Sequence, residues 1–147
     1  MAHQSYLLDT NILVHLVRED AIGQRLGDEY SLLLIQPPPM ISDVTEGELR
    51  SLAIQWKWGE RKRDQMEYLL SYFWRIAIND PDIFDAYAAI DSHSESVGQP
   101  MGKNDVWIAA SAQAMKACLL TTDKDFDHLQ TLFITREWID PERDKKS

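Results

Sequence analysis

Two short apolar runs, near opposite ends of the chain, break in the same way. Leu7-Leu8 passes directly into Asp9-Thr10-Asn11, and Leu119-Leu120 passes into Thr121-Thr122-Asp123. An apolar run this short, closed by turn-forming polar residues, reads as a buried strand. In open parallel sheets, ligands bind in the crevice beyond the carboxyl ends of the strands. If these two strands lie side by side and parallel, Asp9 and Asp123 share one rim.

The rest of the chain alternates in the way such a sheet requires. Strands are expected over residues 5–8, 40–41, 74–78 and 118–122, with a brief last one at 133–134. Helices are expected over 11–18, 21–34, 42–58, 61–72, 82–97 and 104–116. Gly59 stops the third helix, Pro81 precedes the fifth and Gly98 ends it. Strands alternating with helices predict an α/β domain with a central, largely parallel sheet. The chain has 147 residues, room for one domain of ordinary size, expected over 1–139 with a polar tail over 140–147. No repeat or linker is visible, and Gln36-Pro37-Pro38-Pro39 reads as a rigid turn.

Two further acids fall at positions that ask for an explanation. On a helical wheel Val44, Leu52, Trp56, Leu49 and Ala53 form one apolar face, and Glu48 lies inside it, between Val44 and Leu52. Asp105 shares its side of a helix with Ile108, Ala109 and Ala112. A carboxylate turned inward costs several kcal/mol, on the order of the effective penalty for a buried ion, unless a cation compensates it. Each acid also has a local reading. Asp9 and Asp123 suit helix N-caps. Glu48 fits a capping box with Thr45, and Asp105 suits the positive end of a helix dipole. Lys103 is open to two readings, an ion pair with Asp105 or a phosphate contact. Taken together, Asp9, Glu48, Asp105 and Asp123 form a set of carboxylates that would repel one another without a cation. Hard divalent ions prefer such oxygen ligands, and a site of this kind activates water and stabilises charge on a phosphoryl oxygen.

At this point four segments resemble the motifs of the PIN-domain ribonucleases, in order and in approximate spacing. They are Leu7-Leu8-Asp9-Thr10-Asn11-Ile12-Leu13, Val44-Thr45-Glu46-Gly47-Glu48-Leu49, Gly102-Lys103-Asn104-Asp105-Val106-Trp107-Ile108-Ala109-Ala110 and Leu120-Thr121-Thr122-Asp123-Lys124-Asp125-Phe126. The resemblance implies a three-layer α/β/α fold and Mg2+- or Mn2+-dependent hydrolysis of RNA phosphodiesters. It maps Asp9, Glu48 and Asp105 onto an acidic triad and Asp123 onto a more variable fourth acid. Asn11 and Thr121 match polar residues that orient the site. Asp125 is either a helper or an exposed loop acid. The compact length resembles the VapC toxins of bacterial toxin–antitoxin pairs, which implies a homodimer silenced by an antitoxin whose tail enters the acidic site. The segment Trp56-Lys57-Trp58-Gly59-Glu60-Arg61-Lys62-Arg63 is unusually aromatic and basic for such a chain. It suits RNA stacking, a dimer or antitoxin interface, or a core-facing Trp56 beside a solvated turn.

Charge and composition bound these readings. With 15 Lys+Arg against 24 Asp+Glu the net charge is −9. That is not the balance of a general nucleic-acid binder. It weighs against an RNA substrate unless acids are clustered around metal, and it suits a basic protein partner. A single cysteine, Cys118, expected in the core, permits no internal disulfide. No signal peptide or membrane span is visible, so a cytoplasmic protein is expected. His3, His15, His93 and His128 lack zinc spacing, and no Gly-rich phosphate loop is present. Two rival functions remain: a metal-dependent phosphohydrolase of small molecules, and a PIN-like fold kept only for interaction.

Overall fold

The computed structural model describes residues 5–143. His3 and residues 144–147 of the expected tail lie outside that range. Five strands form one parallel sheet: β1 (Tyr6–Leu8), β2 (Met40–Ser42), β3 (Trp74–Ile76), β4 (Cys118–Thr121) and β5 (Thr135–Trp138), in the order β3-β2-β1-β4-β5. Helices α1 (Thr10–Arg18) and α2 (Ala21–Tyr30) connect β1 to β2. Helices α3 (Asp43–Gln55) and α4 (Glu60–Tyr72) connect β2 to β3. Helices α5 (Pro81–Ser96) and α6 (Lys103–Met115) connect β3 to β4, and a 3-10 helix (Lys124–Leu129) leads towards β5.

The two-residue period of the strands sorts their side chains into two cores. Leu8, Ile41 and Leu120 pack with α1, α2, α3 and α4 on one face of the sheet. Leu7, Met40 and Leu119 pack with α5 and α6 on the other. This is the expected three-layer α/β/α arrangement. The first two crossovers step outward from β1 to β2 to β3, and the third returns across the sheet to β4. Strand order therefore reverses between β1 and β4. That junction is the switch point, where the carboxyl ends of neighbouring strands open a crevice.

Several element limits differ from the sequence expectation, each for a local reason. Helix α2 stops at Tyr30 rather than residue 34 because Ser31 adopts a left-handed conformation at φ 52°. The last strand is β5, not residues 133–134. Those two turn back towards Leu129, and Ile134 makes only an isolated bridge to Gln130. Strand β5 lies at the sheet edge with alternating exposure, so Thr135-Arg136-Glu137-Trp138 has no apolar run to betray it.

Helix α3 ends at Gln55 instead of residue 58. Lys57 is left-handed, at φ 52°, its N–H bonds Ile54 O at 3.1 Å, and the Trp58 N–H bonds Ala53 O at 3.0 Å. This is a Schellman turn, in which the residue after the left-handed one folds back onto the last helical turn. It buries Trp58, 5% exposed, and leaves Trp56 at 45%. The tryptophan in the core is thus Trp58 and not Trp56, whose ring carries the Arg18 guanidinium at 4.6 Å instead. Cys118 is buried in β4, as expected. Among the described residues no helix is long and apolar enough to cross a membrane.

Candidate functional site

The register of β1 on β4 builds the centre of the site. Leu8 pairs with Leu120, and the Asp9 N–H bonds Leu120 O at 3.0 Å. Asp9 is the N-cap of α1, and its Oδ1 accepts from the Thr10 N–H at 2.8 Å. Capping uses one oxygen. The other, Oδ2, accepts from the Thr121 hydroxyl at 2.6 Å. Thr121 Oγ1 in turn accepts from the Asp123 N–H at 2.9 Å, so one hydroxyl ties both strand ends together. Asp123 caps the 3-10 helix through Oδ1, which accepts from the Asp125 N–H at 2.8 Å. Here the capping reading and the rim reading both hold.

Glu48 is not a capping-box partner. The N-cap of α3 is Ser42, whose hydroxyl accepts from the Val44 N–H at 3.1 Å, and Thr45 is fully buried. Glu48 Oε1 accepts from the Thr10 hydroxyl at 2.6 Å, and Oε2 from Asn104 Nδ2 at 3.3 Å. Thr45 Oγ1 lies 3.1 Å from Thr10 Oγ1. The buried line of α3 is Thr45, Leu49 and Ala53. Val44, Glu48 and Leu52 lie one step around the helix and are only half-buried. Glu48 therefore flanks the core rather than entering it, and looks into the crevice.

Asp105 lies in the first turn of α6, half-buried. Among the described residues no donor bonds its carboxylate. Oxygens of Asp105, Asp123 and Asp125 all lie within 4.8 Å of one another. Lys103 does not pair with Asp105; its Nζ lies 3.6 Å from Asp91 Oδ1 on α5. Asn11 is exposed at the start of α1 and makes no side-chain hydrogen bond among the described residues.

The electrostatics follow from this crowding. Burial pushes the Asp9 carboxyl up to about 6; Glu48 and Asp123 add to the rise, against the hydrogen bonds from Thr121 and Thr10. Burial also pushes Asp105 up to about 7, with Asp9, Asp123, Glu48 and Asp125 all adding to it. Both groups resist ionising first because they are buried and then because their neighbours are carboxylates. The donors at the crevice are carboxylate oxygens, the set that hard divalent cations take, and a cation would relieve the repulsion. The residues fit Mg2+ or Mn2+.

Sequence reasoning passed over two residues that hold Glu48, Thr10 and Asn104; Thr45, read there as its capping-box partner, meets Thr10 instead. Thr10 follows Asp9 directly, so its position beside the site was visible. Its bond to Glu48 needs the packing of α1 against α3, which no local pattern carries.

A doubly wound parallel sheet with a cluster of carboxylates at its switch point defines an α/β protein with an acidic crevice. The chain belongs to the PIN domain family, whose model matches residues 6–132. Among characterised relatives it is 28% identical over 128 residues to Ribonuclease VapC1 of Haemophilus influenzae (strain R2866), covering 86% of this chain and 93% of the relative. Its structure is similar to VapBC2 from Rickettsia felis bound to a promoter DNA fragment, with a TM-score of 0.77 and 23% identity, covering 93% of this chain and 100% of that one. It is also similar to VapBC-1 from nontypeable Haemophilus influenzae, with a TM-score of 0.74 and 26% identity over 92% of this chain and 98% of that one. The resemblance to VapC toxins that the motifs carry is thus matched by both sequence and fold.

Proposed function

We propose that this chain is a divalent-metal-dependent ribonuclease and the toxin of a toxin–antitoxin pair. The observation that carries the reading is the crowding of carboxylates at the switch point, with Asp9 and Asp105 both held above the usual carboxylate range. Such an arrangement is poorly suited to a site that works without a cation. Family membership and the likeness to Ribonuclease VapC1 support RNA as substrate.

Asp105, Asp123 and Asp125, with Asp9 and Glu48 around them, are the residues that would hold Mg2+ or Mn2+. A bound divalent ion supplies positive charge for a phosphoryl oxygen and makes water a better nucleophile. The protein's own part is to fix the carboxylates. Thr121 and the Thr10 N–H hold Asp9; the Thr10 hydroxyl and Asn104 hold Glu48. Lys103, exposed at the N-terminus of α6, is proposed as a phosphate contact that would exchange Asp91 for substrate. Asn11 is retained as a polar group at the rim. A homodimer and an antitoxin with a basic segment complete the reading; the net charge of −9 favours such a partner.

The test compares substrates. Purified protein with Mn2+ is expected to cut RNA and to leave nucleoside monophosphates intact. Hydrolysis of the monophosphates with RNA spared would overturn the ribonuclease reading in favour of a small-molecule phosphohydrolase.

A further inference from the structure

Of the apolar face that the sequence gives α3, Leu49 and Ala53 are buried, while Val44 and Leu52 flank the cores only partly covered and Trp56 is exposed. Val44, Glu48, Leu52 and Trp56 follow one another at four-residue intervals, so they stack along one side of the helix. None of them is fully buried, because Thr45, Leu49 and Ala53 fill that role. A groove of about 490 Å3 runs along this side, lined by Val44, Gly47, Glu48, Ser51, Leu52 and Gln55, with Asn104 across from them. Its inner end is the carboxylate site itself, since Glu48 and Asn104 are bonded to each other there. Trp56 stands one helical turn beyond Leu52, at the outer end.

The outer end differs in charge from the inner one. Trp56 is held with the Arg18 guanidinium over its ring. Arg18, Arg61 and Lys62 line a hollow of about 340 Å3 together with Glu19, and Arg61 and Glu19 also border a second hollow with Glu60 and Asp64. Lys57 follows Trp56 directly. In a chain with a net charge of −9 this is a local concentration of basic groups beside an exposed aromatic face. Single strands are held by aromatic platforms on which bases stack, together with basic groups that meet the backbone. From Glu48 to Trp56 is eight residues, about 12 Å of helix at a rise of about 1.5 Å each, a span that a few nucleotides of one strand cover.

We propose that this groove is the track of a single RNA strand, with one base stacked on Trp56 and the flanking phosphates facing Arg18, Arg61 and Lys62. The uncharged wall of Val44, Ser51, Leu52 and Gln55 lets the strand pass between a basic anchor and an acidic site. The proposal rests on the ribonuclease reading and adds to it the residues that position the substrate.

Cleavage with Mn2+ of a randomised single-stranded RNA pool, about fifteen nucleotides long, is compared with that of a randomised dinucleotide pool. The variants are Trp56→Ala and Trp56→Phe, with thermal melts to check the fold. Trp56→Ala is expected to raise the apparent KM for the longer pool by about five- to a hundredfold, the loss of one base–aromatic stack, with kcat retained. The dinucleotide, whose single internucleotide step is too short to reach Trp56, is expected to be cut by both variants as by the wild type. Trp56→Phe is expected to recover most of the loss. If the wild type cuts the pool and Trp56→Ala cuts it equally well, the track is wrong and the ribonuclease reading stands. The same holds if the wild type cuts folded cellular RNA but not the single-stranded pool, or if Trp56→Ala weakens only the binding of a protein partner. A wild type that cuts no RNA overturns both.

Discussion

Asp9 and Asp105 hold their protons to higher pH than free aspartates do, and that gives the site a measurable signature. Their folded values, about 6 and about 7, lie above the ordinary 3.8. Between about pH 4 and pH 7 these two carboxyls therefore bind more protons in the native protein than in the unfolded chain, so their contribution to stability is fully present below that window and is lost as pH rises through it. In EDTA, the urea midpoint of the wild type is expected to be lower at pH 8 than at pH 5, and Asp105→Asn to reduce that drop. An equal drop in the variant would mean that Asp105 is not the strained group. Thr121 gives a second prediction. Thr121→Val keeps the shape but removes the donor to Asp9 Oδ2 and the acceptor for the Asp123 N–H, a loss on the order of 1–3 kcal/mol for a buried polar group. A lower melting temperature and roughly tenfold slower RNA cleavage are expected, with the pH–rate profile displaced upward. An unchanged pH–rate profile would remove Thr121 from the positioning of Asp9. Asp123 and Asp125 sit side by side, so Asp123→Asn is expected to harm cleavage less than Asp105→Asn does. The Asp123→Asn/Asp125→Asn double variant should match Asp105→Asn in the same assay.

At the scale of elements, the end of α3 decides which tryptophan supports the fold. Trp58→Ala is expected to destabilise by about 3–5 kcal/mol, as for a large aromatic removed from a core. Trp56→Ala is expected to cost less, about 1–2 kcal/mol, since the half-exposed ring gives up a cation–π contact with Arg18 and a tilted contact with Trp58. Urea denaturation of the two variants separates these roles, and equal losses would contradict the Schellman turn that divides them. The same turn explains what could be read beforehand. Strands β1 and β4 were legible because buried apolar runs end in Thr and Asp. Helix α5 was legible because Pro81 and Gly98 mark its limits. The exposed side of α3 was not legible: the wheel finds an apolar stripe but cannot tell a core from a groove wall, and Thr45, buried with its hydroxyl beside Thr10, looks polar in sequence. Strand β5 was missed because an edge strand needs only one apolar face. The acids themselves stood out singly; Thr10 and Asn104, which hold Glu48, depend on contacts between distant elements.

The whole molecule joins an acidic surface to an acidic crevice, a combination that makes sense with a cation in place. Metal and protons compete for the same oxygens. Mn2+ is therefore expected to raise the melting temperature more at pH 8 than at pH 5, because ligand binding to the native state stabilises it. A shift of equal size at both would indicate binding elsewhere on the surface. The central claim, that the switch-point carboxylates form one divalent-cation site, is tested most directly by calorimetric titration of Mn2+ into wild-type protein and Asp105→Asn at pH 7.5. Saturable binding to the wild type, with protons released and with affinity lost in the folded variant, is the predicted result. No saturable binding to the wild type, or equal affinity in the variant, would contradict it.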